Sequence, residues 1–304
     1  GFCPCCASSK MGEEGTEQWA AIVLAAGYGS RLEAGLAEDP EFAHLTGIPK
    51  ALLPCGGVAL LDHWLHKFRV VCRGLVGPVL LVTNETFKPV FDEWALKRKL
   101  PTSNIISDGS WTNDTRLGAV RDLELIIKAK ADVIKQKNVV VVASDLLFFD
   151  DFNLRSFLEK TGSEGEVGLV YYNVDDSEVS KRGILEVDEK GTVTAFVEKP
   201  SPADTPSRKA CPAIYTFQNS TLPQISSFLA EKDAQNAGRN AVDAPGLLVR
   251  WIVENAKAQV KAAEVSGRFD IGNIAQYKET IAYYAARDQK TINSGALPNK
   301  VQES

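Results

Sequence analysis

The sequence predicts an α/β fold with a buried, mostly parallel central sheet flanked by helices. Three observations carry that prediction. Residues 20–26 form a hydrophobic run that empties into a turn holding Gly27 and Gly29. Val139-Val140-Val141-Val142 is apolar at every position, as suits a strand buried on both faces. Around these runs, strand-length apolar segments alternate with helix-spaced ones, the pattern of βα units. With 304 residues, 44% hydrophobic and 24% charged, the chain can fill one large domain or two small ones.

Taken in order, residues 20–26 predict the first strand, and 33–48 read as a polar insertion serving as a lid or a partner surface. Leu61, Trp64, Leu65, Phe68 and Val71 recur at helical spacing. Residues 78–82 predict the next strand and 87–99 the next helix. Ile105-Ile106 predicts a short strand running into the polar loop 107–115. Leu117, Val120, Leu123 and Ile127 predict a helix after it; the polar loop either reaches a nucleotide through Arg116 and Gly118 or simply caps that helix with Asp114 or Thr115. Residues 138–143 follow as the central strand. The pattern then changes. Residues 167–172, 183–187 and 192–197 predict strands, the last two joined by a turn at Glu189-Lys190-Gly191. Residues 201–207 read as a Pro-rich loop and 213–217 as a further strand. Helices are expected near 222–231 and 246–257, a short strand near Val260, and a last helix at 274–286. Residues 1–18 are expected to be a disordered tail, and 288–304 a polar one.

A net charge of −5 excludes a broad nucleic-acid footprint. No apolar run is long enough to span a bilayer, and no hydrophobic secretory segment is visible, so a cytoplasmic protein is expected. Cys55, Cys72 and Cys211 read as buried thiols. Cys3, Cys5 and Cys6 crowd the start of the chain, but Cys5 stands where a myristoylation motif needs Ser or Thr. His63 and His66 sit three apart without a third ligand and read as surface residues.

The glycine turn carries the chemistry. Without a Cβ, the backbone can approach a ligand closely, and successive N–H groups form an anion-binding concavity. Arg31 and Lys50 would add full positive charges, an arrangement suited to a nucleoside triphosphate. A dinucleotide fingerprint would need a third glycine where Leu32 stands, which argues against a dinucleotide-dependent oxidoreductase. A P-loop would need Gly-Lys-Ser/Thr, and no such triplet follows. Asp145 lies just past the apolar strand, at the carboxyl edge where α/β ligands bind, and a carboxylate there can hold Mg²⁺.

Leu24-Ala25-Ala26-Gly27-Tyr28-Gly29-Ser30-Arg31-Leu32, with Pro49-Lys50 following, resembles the signature of the sugar-1-phosphate nucleotidyltransferases, or nucleoside-diphosphate-sugar pyrophosphorylases. The resemblance extends to about Ala286. It implies a Rossmann-like core over 19–287, with a nucleotide half at about 19–150 and a sugar-phosphate half at about 151–287. It also implies a Mg²⁺-dependent reaction in which a sugar 1-phosphate attacks the α-phosphorus of an NTP. Neither nucleic acid nor a membrane span belongs to this picture, and a homo-oligomer is compatible with it. Arg31 and Lys50 would be catalytic. Leu24 to Gly27, Gly29, Ser30 and Arg31 would hold the nucleotide, together with Asp108, Arg116 and Gly118 from the next loop. Asp145 and Asp270, the latter in Arg268-Phe269-Asp270-Ile271-Gly272-Asn273, would hold the metal. Gly183, Glu198 and Lys199 would hold the sugar phosphate.

The sequence also departs from the family pattern. Ser144 replaces a glycine before Asp145, Asn273 replaces a threonine, Arg268 or Phe269 replaces a tryptophan, and the 108–118 loop is unusual. These departures keep two rivals open: a cytidylyltransferase acting on a non-sugar phosphate, and a catalytically inactive regulatory paralogue that binds nucleotide or sugar nucleotide.

Overall fold

The computed structural model describes residues 18–293 apart from 162, 164, 256 and 257. The crowded cysteines near the start of the chain lie outside the described residues, as does the tail beyond residue 293.

A ten-stranded sheet runs through the molecule. One half is parallel. The strand Trp19–Leu24 pairs with Val76–Thr83 on one side and Asn138–Ala143 on the other, and Ile105–Ser107 extends the edge. Alternate residues of these strands reach opposite faces, and both faces are covered. Ala21, Val23, Val140 and Val142 pack into one core, and Ala20, Ile22, Val139 and Val141 into the other. Continuous apolar sequence is the direct consequence.

The other half is mixed. Ile214–Phe217 joins the sheet antiparallel to both Asn138–Ala143 and Glu166–Asn173. Beyond it come Lys209–Cys211, Gly183–Val187 and Val193–Glu198, all antiparallel. Gln259–Glu264 lies parallel to Glu166–Asn173. A two-stranded ribbon, Leu146–Phe148 against Arg268–Asp270, closes over the carboxyl edge of the parallel half.

Three expectations need correction. Residues 33–48 are no loose polar insertion. They continue the helix Ser30–Glu38 and the 3₁₀ turn Ala43–Leu45, and Leu36, Phe42 and Leu45 are buried there. Gly35 has its reason in packing, since a Cβ would meet Ile274 Cβ at 2.9 Å. His63 is half-buried rather than open to solvent. Its Nε2 lies 3.0 Å from the Cys55 carbonyl oxygen, its ring centroid is 4.5 Å from that of Tyr284, and burial lowers its pKa. The last helix runs Ile274–Asn293, so the first part of the expected tail is helical. Elsewhere, Asn153 caps the helix Leu154–Lys160 by accepting from Ser156 N–H at 3.0 Å. Cys55 and Cys72 are buried thiols, as expected.

Candidate active site

The turn after Trp19–Leu24 is set by backbone geometry and by one buried amide. Gly29 takes φ 63°, a left-handed conformation that glycine adopts without cost, and opens the helix Ser30–Glu38. Asn84, fully buried, donates from Nδ2 to the Ala26 carbonyl at 3.0 Å and accepts the Phe87 N–H at 2.9 Å. The Ala25 N–H is held by the Val82 carbonyl at 2.8 Å. A Cβ at Gly27 would meet no protein atom within 4 Å, so the space beside that backbone is open. Ser30 and Arg31 are exposed on the first helical turn, where the N–H groups have no partner within the helix. Arg31 also approaches Gly272, the residue after the Asp270-Ile271 pair: Nη2 is 3.9 Å from where a Cβ would stand.

Lys50 opens a 3₁₀ turn, Lys50–Leu52, and packs under the glycine turn, with its Cβ 3.6 Å from a Cβ built at Gly29. Its ammonium pairs with the Asp145 carboxylate. The ribbon brings the second carboxylate alongside. Asp270 faces Leu146 in register, and the Ile271 N–H donates to the Asp145 carbonyl at 3.0 Å. Two residues far apart in sequence thus become neighbours. Both carboxylates are bonded by cationic donors, Lys50 on Asp145 and Arg182 with Arg268 on Asp270.

A cleft of ≈ 180 Å³ opens beside them. Asp145, Asp270, Gly183 and Glu198 all line it, together with Arg182 and Arg268. Glu198 sits on a built wall. A Cβ on Gly246 would come within 2.5 Å of Glu198 Oε2 and 2.7 Å of Phe196 Cζ; a Cβ on Gly183 would come within 2.4 Å of that same ring atom. Burial raises the Glu198 carboxyl above its ordinary pKa, and Lys199 only partly offsets this.

Other predicted residues are placed differently. Lys199 is not among the cleft-lining residues. Its side chain is 61% exposed, and its ammonium lies 3.9 Å from Glu198. Asp108 is folded into its own turn, accepting the Ser110 hydroxyl at 2.7 Å and the Ser110 N–H at 2.8 Å. That turn touches the glycine turn through Tyr28, whose hydroxyl donates to the Ser110 carbonyl at 3.0 Å. Arg116 is bound to Asp243 at 2.6 Å and to Asn113 at 2.7 Å. Gly118, not Asp114 or Thr115, stands at the start of the helix Ala119–Ala129. Its φ of 99° and the approach of the Asp243 backbone, 3.1 Å from a Cβ there, explain the glycine. Leu24 ends the first strand, half-buried, and Ala25 and Ala26 are buried beneath the turn.

Asn84, Arg182, Arg268 and Gly246 are the residues that sequence reasoning passed over. Arg268 stood inside a quoted motif, so its charge was a usable signal. The others had none, since their meaning lies in which distant residues they touch.

Fold and site together define an α/β protein that gathers cations, two carboxylates and an open glycine turn at one carboxyl edge. The chain belongs to the nucleotidyl transferase family, whose profile matches residues 20–287. It is 26% identical to a UTP--glucose-1-phosphate uridylyltransferase of Streptococcus pneumoniae, over 88% of this chain and 90% of that one. It is 25% identical to a glucose-1-phosphate adenylyltransferase of Granulibacter bethesdensis, over 64% of this chain and 43% of the relative. The chain thus spans less than half the length of that adenylyltransferase. Among solved structures, a UDP-glucose pyrophosphorylase complexed with UDP-glucose superimposes with a TM-score of 0.63 at 19% identity, covering 90% of this chain and 99% of that one. That likeness establishes the fold. Among the described residues no helix is long and apolar enough to cross a membrane.

Proposed function

We propose that the protein transfers a nucleotidyl group from an NTP to a sugar 1-phosphate, giving a nucleoside-diphosphate sugar and pyrophosphate. The observation that carries this reading is the meeting of Lys50, Asp145 and Asp270 between the open glycine turn and the cleft. The backbone from Leu24 through Gly27, Gly29 and Ser30 wraps the triphosphate. Arg31 neutralises the departing pyrophosphate. Lys50 leaves Asp145 for the α-phosphate or the incoming phosphate. The loop bearing Asp108, Arg116 and Gly118 borders the nucleotide through the Tyr28–Ser110 contact. Gly183 leaves room for Glu198 to accept sugar hydroxyls, and exposed Lys199 draws the sugar phosphate to the rim.

In-line transfer of this kind depends on positioning and charge stabilisation. An attacking phosphate is already anionic, so no general base is needed. The donor set fits Mg²⁺: Asp145 and Asp270 give hard carboxylate oxygens, and phosphates and water would complete the set. Asp145 and Asp270 would hold the ion, which would supply charge neutralisation between α-phosphate and leaving group.

A second reading is favoured by the cleft wall. Phe196, Pro212, Ala213, Ala244 and Pro245 line part of it, and that part gives a ring of hydroxyls no polar side chain. The phosphate ester of a smaller alcohol would suit such a wall. The test for both is pyrophosphate release from the purified protein with Mg²⁺, each NTP, and a panel of sugar 1-phosphates plus phosphorylcholine. Release with one sugar pair is expected. Release with phosphorylcholine alone moves the acceptor class. Silence across the panel, in folded protein that binds NTP, overturns transfer.

A further inference from the structure

Two guanidinium groups converge on one carboxylate oxygen in the cleft. Arg182 Nη1 lies 2.7 Å from Asp270 Oδ2, and Arg268 Nη2 lies 3.2 Å from the same atom. Both arginines line the cleft. They come from distant parts of the fold: Arg182 immediately precedes the strand Gly183–Val187, and Arg268 opens the closing ribbon. Neither is a flexible surface cation. The Arg268 side chain is 8% exposed and lies over the Tyr172 ring, 4.9 Å from its centroid. Arg182 is held by Glu178 at 3.1 Å, and its buried Nε has no hydrogen-bond partner.

One carboxylate oxygen is an incomplete partner for two planar forks. A guanidinium matches the paired oxygens of a phosphate, and a phosphomonoester dianion offers three oxygens and two charges. If Asp270 turns to a divalent cation, as the proposed reaction requires, Arg268 loses that carboxylate and Arg182 is left with Glu178. An unpaired, largely buried guanidinium is costly, so another anion is favoured in its place. Lys199, the residue that the family resemblance assigns to this phosphate, is exposed outside the lining. Its backbone N–H does bond the Arg182 carbonyl at 2.9 Å, so the two positions are structurally linked.

We propose that Arg182 and Arg268 form a paired guanidinium seat for the phosphomonoester of the acceptor. In the free protein Asp270 fills that seat. This rests on the transfer reading for its place in a reaction, but the seat itself is defined by binding. It makes the protein selective for acceptors with a terminal phosphate dianion over the corresponding free alcohols.

Calorimetric titration with glucose 1-phosphate and with phosphorylcholine, with Mg²⁺ present and no NTP, tests it. Arg182→Gln is the primary variant, since Arg182 is the less buried of the two; Arg268→Gln and Lys199→Gln accompany it, each checked for a native melting transition. Arg182→Gln is expected to weaken whichever phosphate binds on the order of tenfold, as loss of one charge-assisted contact does. It should exceed the loss in Lys199→Gln, and Arg182→Lys should recover only part. In turnover, the KM for acceptor should rise while the KM for NTP stays put. A larger loss in Lys199→Gln than in Arg182→Gln overturns the seat, as does a wild-type protein that binds neither phosphate. Wild-type protein that binds a phosphate through this pair yet releases no pyrophosphate refutes the transfer reading and leaves the seat standing.

Discussion

The two halves of the sheet build their sides of the site in opposite ways. On the parallel side, one short stretch, residues 24–31, supplies the whole turn proposed to face the phosphates, and Lys50 lies beneath it. On the mixed side, no stretch suffices. Arg182, Glu198 and Gly246 come from three separated segments and meet Arg268 of the closing ribbon only in the folded chain. The difference follows from topology. Parallel strands all end at one edge, so a single turn there already faces the ligand. Antiparallel strands send successive ends to opposite edges, so a wall must be collected from many connections. Local motifs accordingly mark the parallel side, and pair contacts make the mixed one.

The harshest way to break this comparison is to remove the carboxylate that both halves share. Asp145→Asn keeps the shape but withdraws a charge from Lys50 and from the proposed metal. Turnover should fall about 10²-fold or more, the scale of losing one preorganised charge contact. The melting temperature should move little, because the Lys50–Asp145 pair is partly exposed, at 19% and 24% of its side-chain areas. Steady-state kinetics beside a thermal melt decide it. Turnover within a few-fold of wild type would remove Asp145 from the chemistry.

A smaller effect separates the halves by stability. Asp122 is buried on the helix Ala119–Ala129, which packs on the parallel side. Burial first, then the nearby Asp108 and Asp243 carboxylates, push its pKa up to about 8, against an opposing pull from Arg116. Its Oδ1 has no hydrogen-bond partner. Between the unfolded value of 3.8 and about 8, the folded chain keeps a proton that the unfolded chain has released. Stability therefore falls as pH rises through that window and levels off above it. Asp122→Asn removes this dependence. It should match wild type near pH 4 and exceed it by a margin that grows as pH rises to about 8 and then levels off. Urea midpoints across that range measure the difference, and an advantage independent of pH would refute the cause assigned here.

What could be read beforehand follows the same division. The strands of the parallel half were legible because burial on both faces leaves an unbroken apolar record at 20–23 and 139–142. The glycine turn was legible because its residues are consecutive. The helix Ser30–Glu38 was not, since Leu32 and Leu36 are its only buried residues and Gly35 looks like a breaker until Ile274 is seen against it. Asp270 was legible through its motif, and Arg268 stood inside that same motif, whereas Arg182 was not legible. Arg182 acquires meaning only from a residue 2.7 Å away in space and far off in sequence.

The smallest effect probes the collected wall itself. At Gly246 an added methyl would stand 2.5 Å from Glu198 Oε2 and 2.7 Å from Phe196 Cζ. The carboxylate can swing away, but the ring cannot, because Phe196 is 4% exposed and packed in the core. Overpacking of this kind costs about 1–3 kcal/mol, and here the strain falls on the surface that receives the acceptor. Gly246→Ala should therefore raise the acceptor KM on the order of tenfold, about 1.4 kcal/mol, with the NTP KM unchanged. Gly27→Ala offers the mirror image. A methyl there meets nothing in the protein, so any penalty must come from the ligand, and only the NTP KM should rise. Crossed behaviour, with Gly246→Ala weakening NTP or Gly27→Ala weakening the acceptor, would mean that the two walls serve one substrate. Separate behaviour would show that a turn read from eight consecutive residues and a wall gathered from four segments hold different molecules.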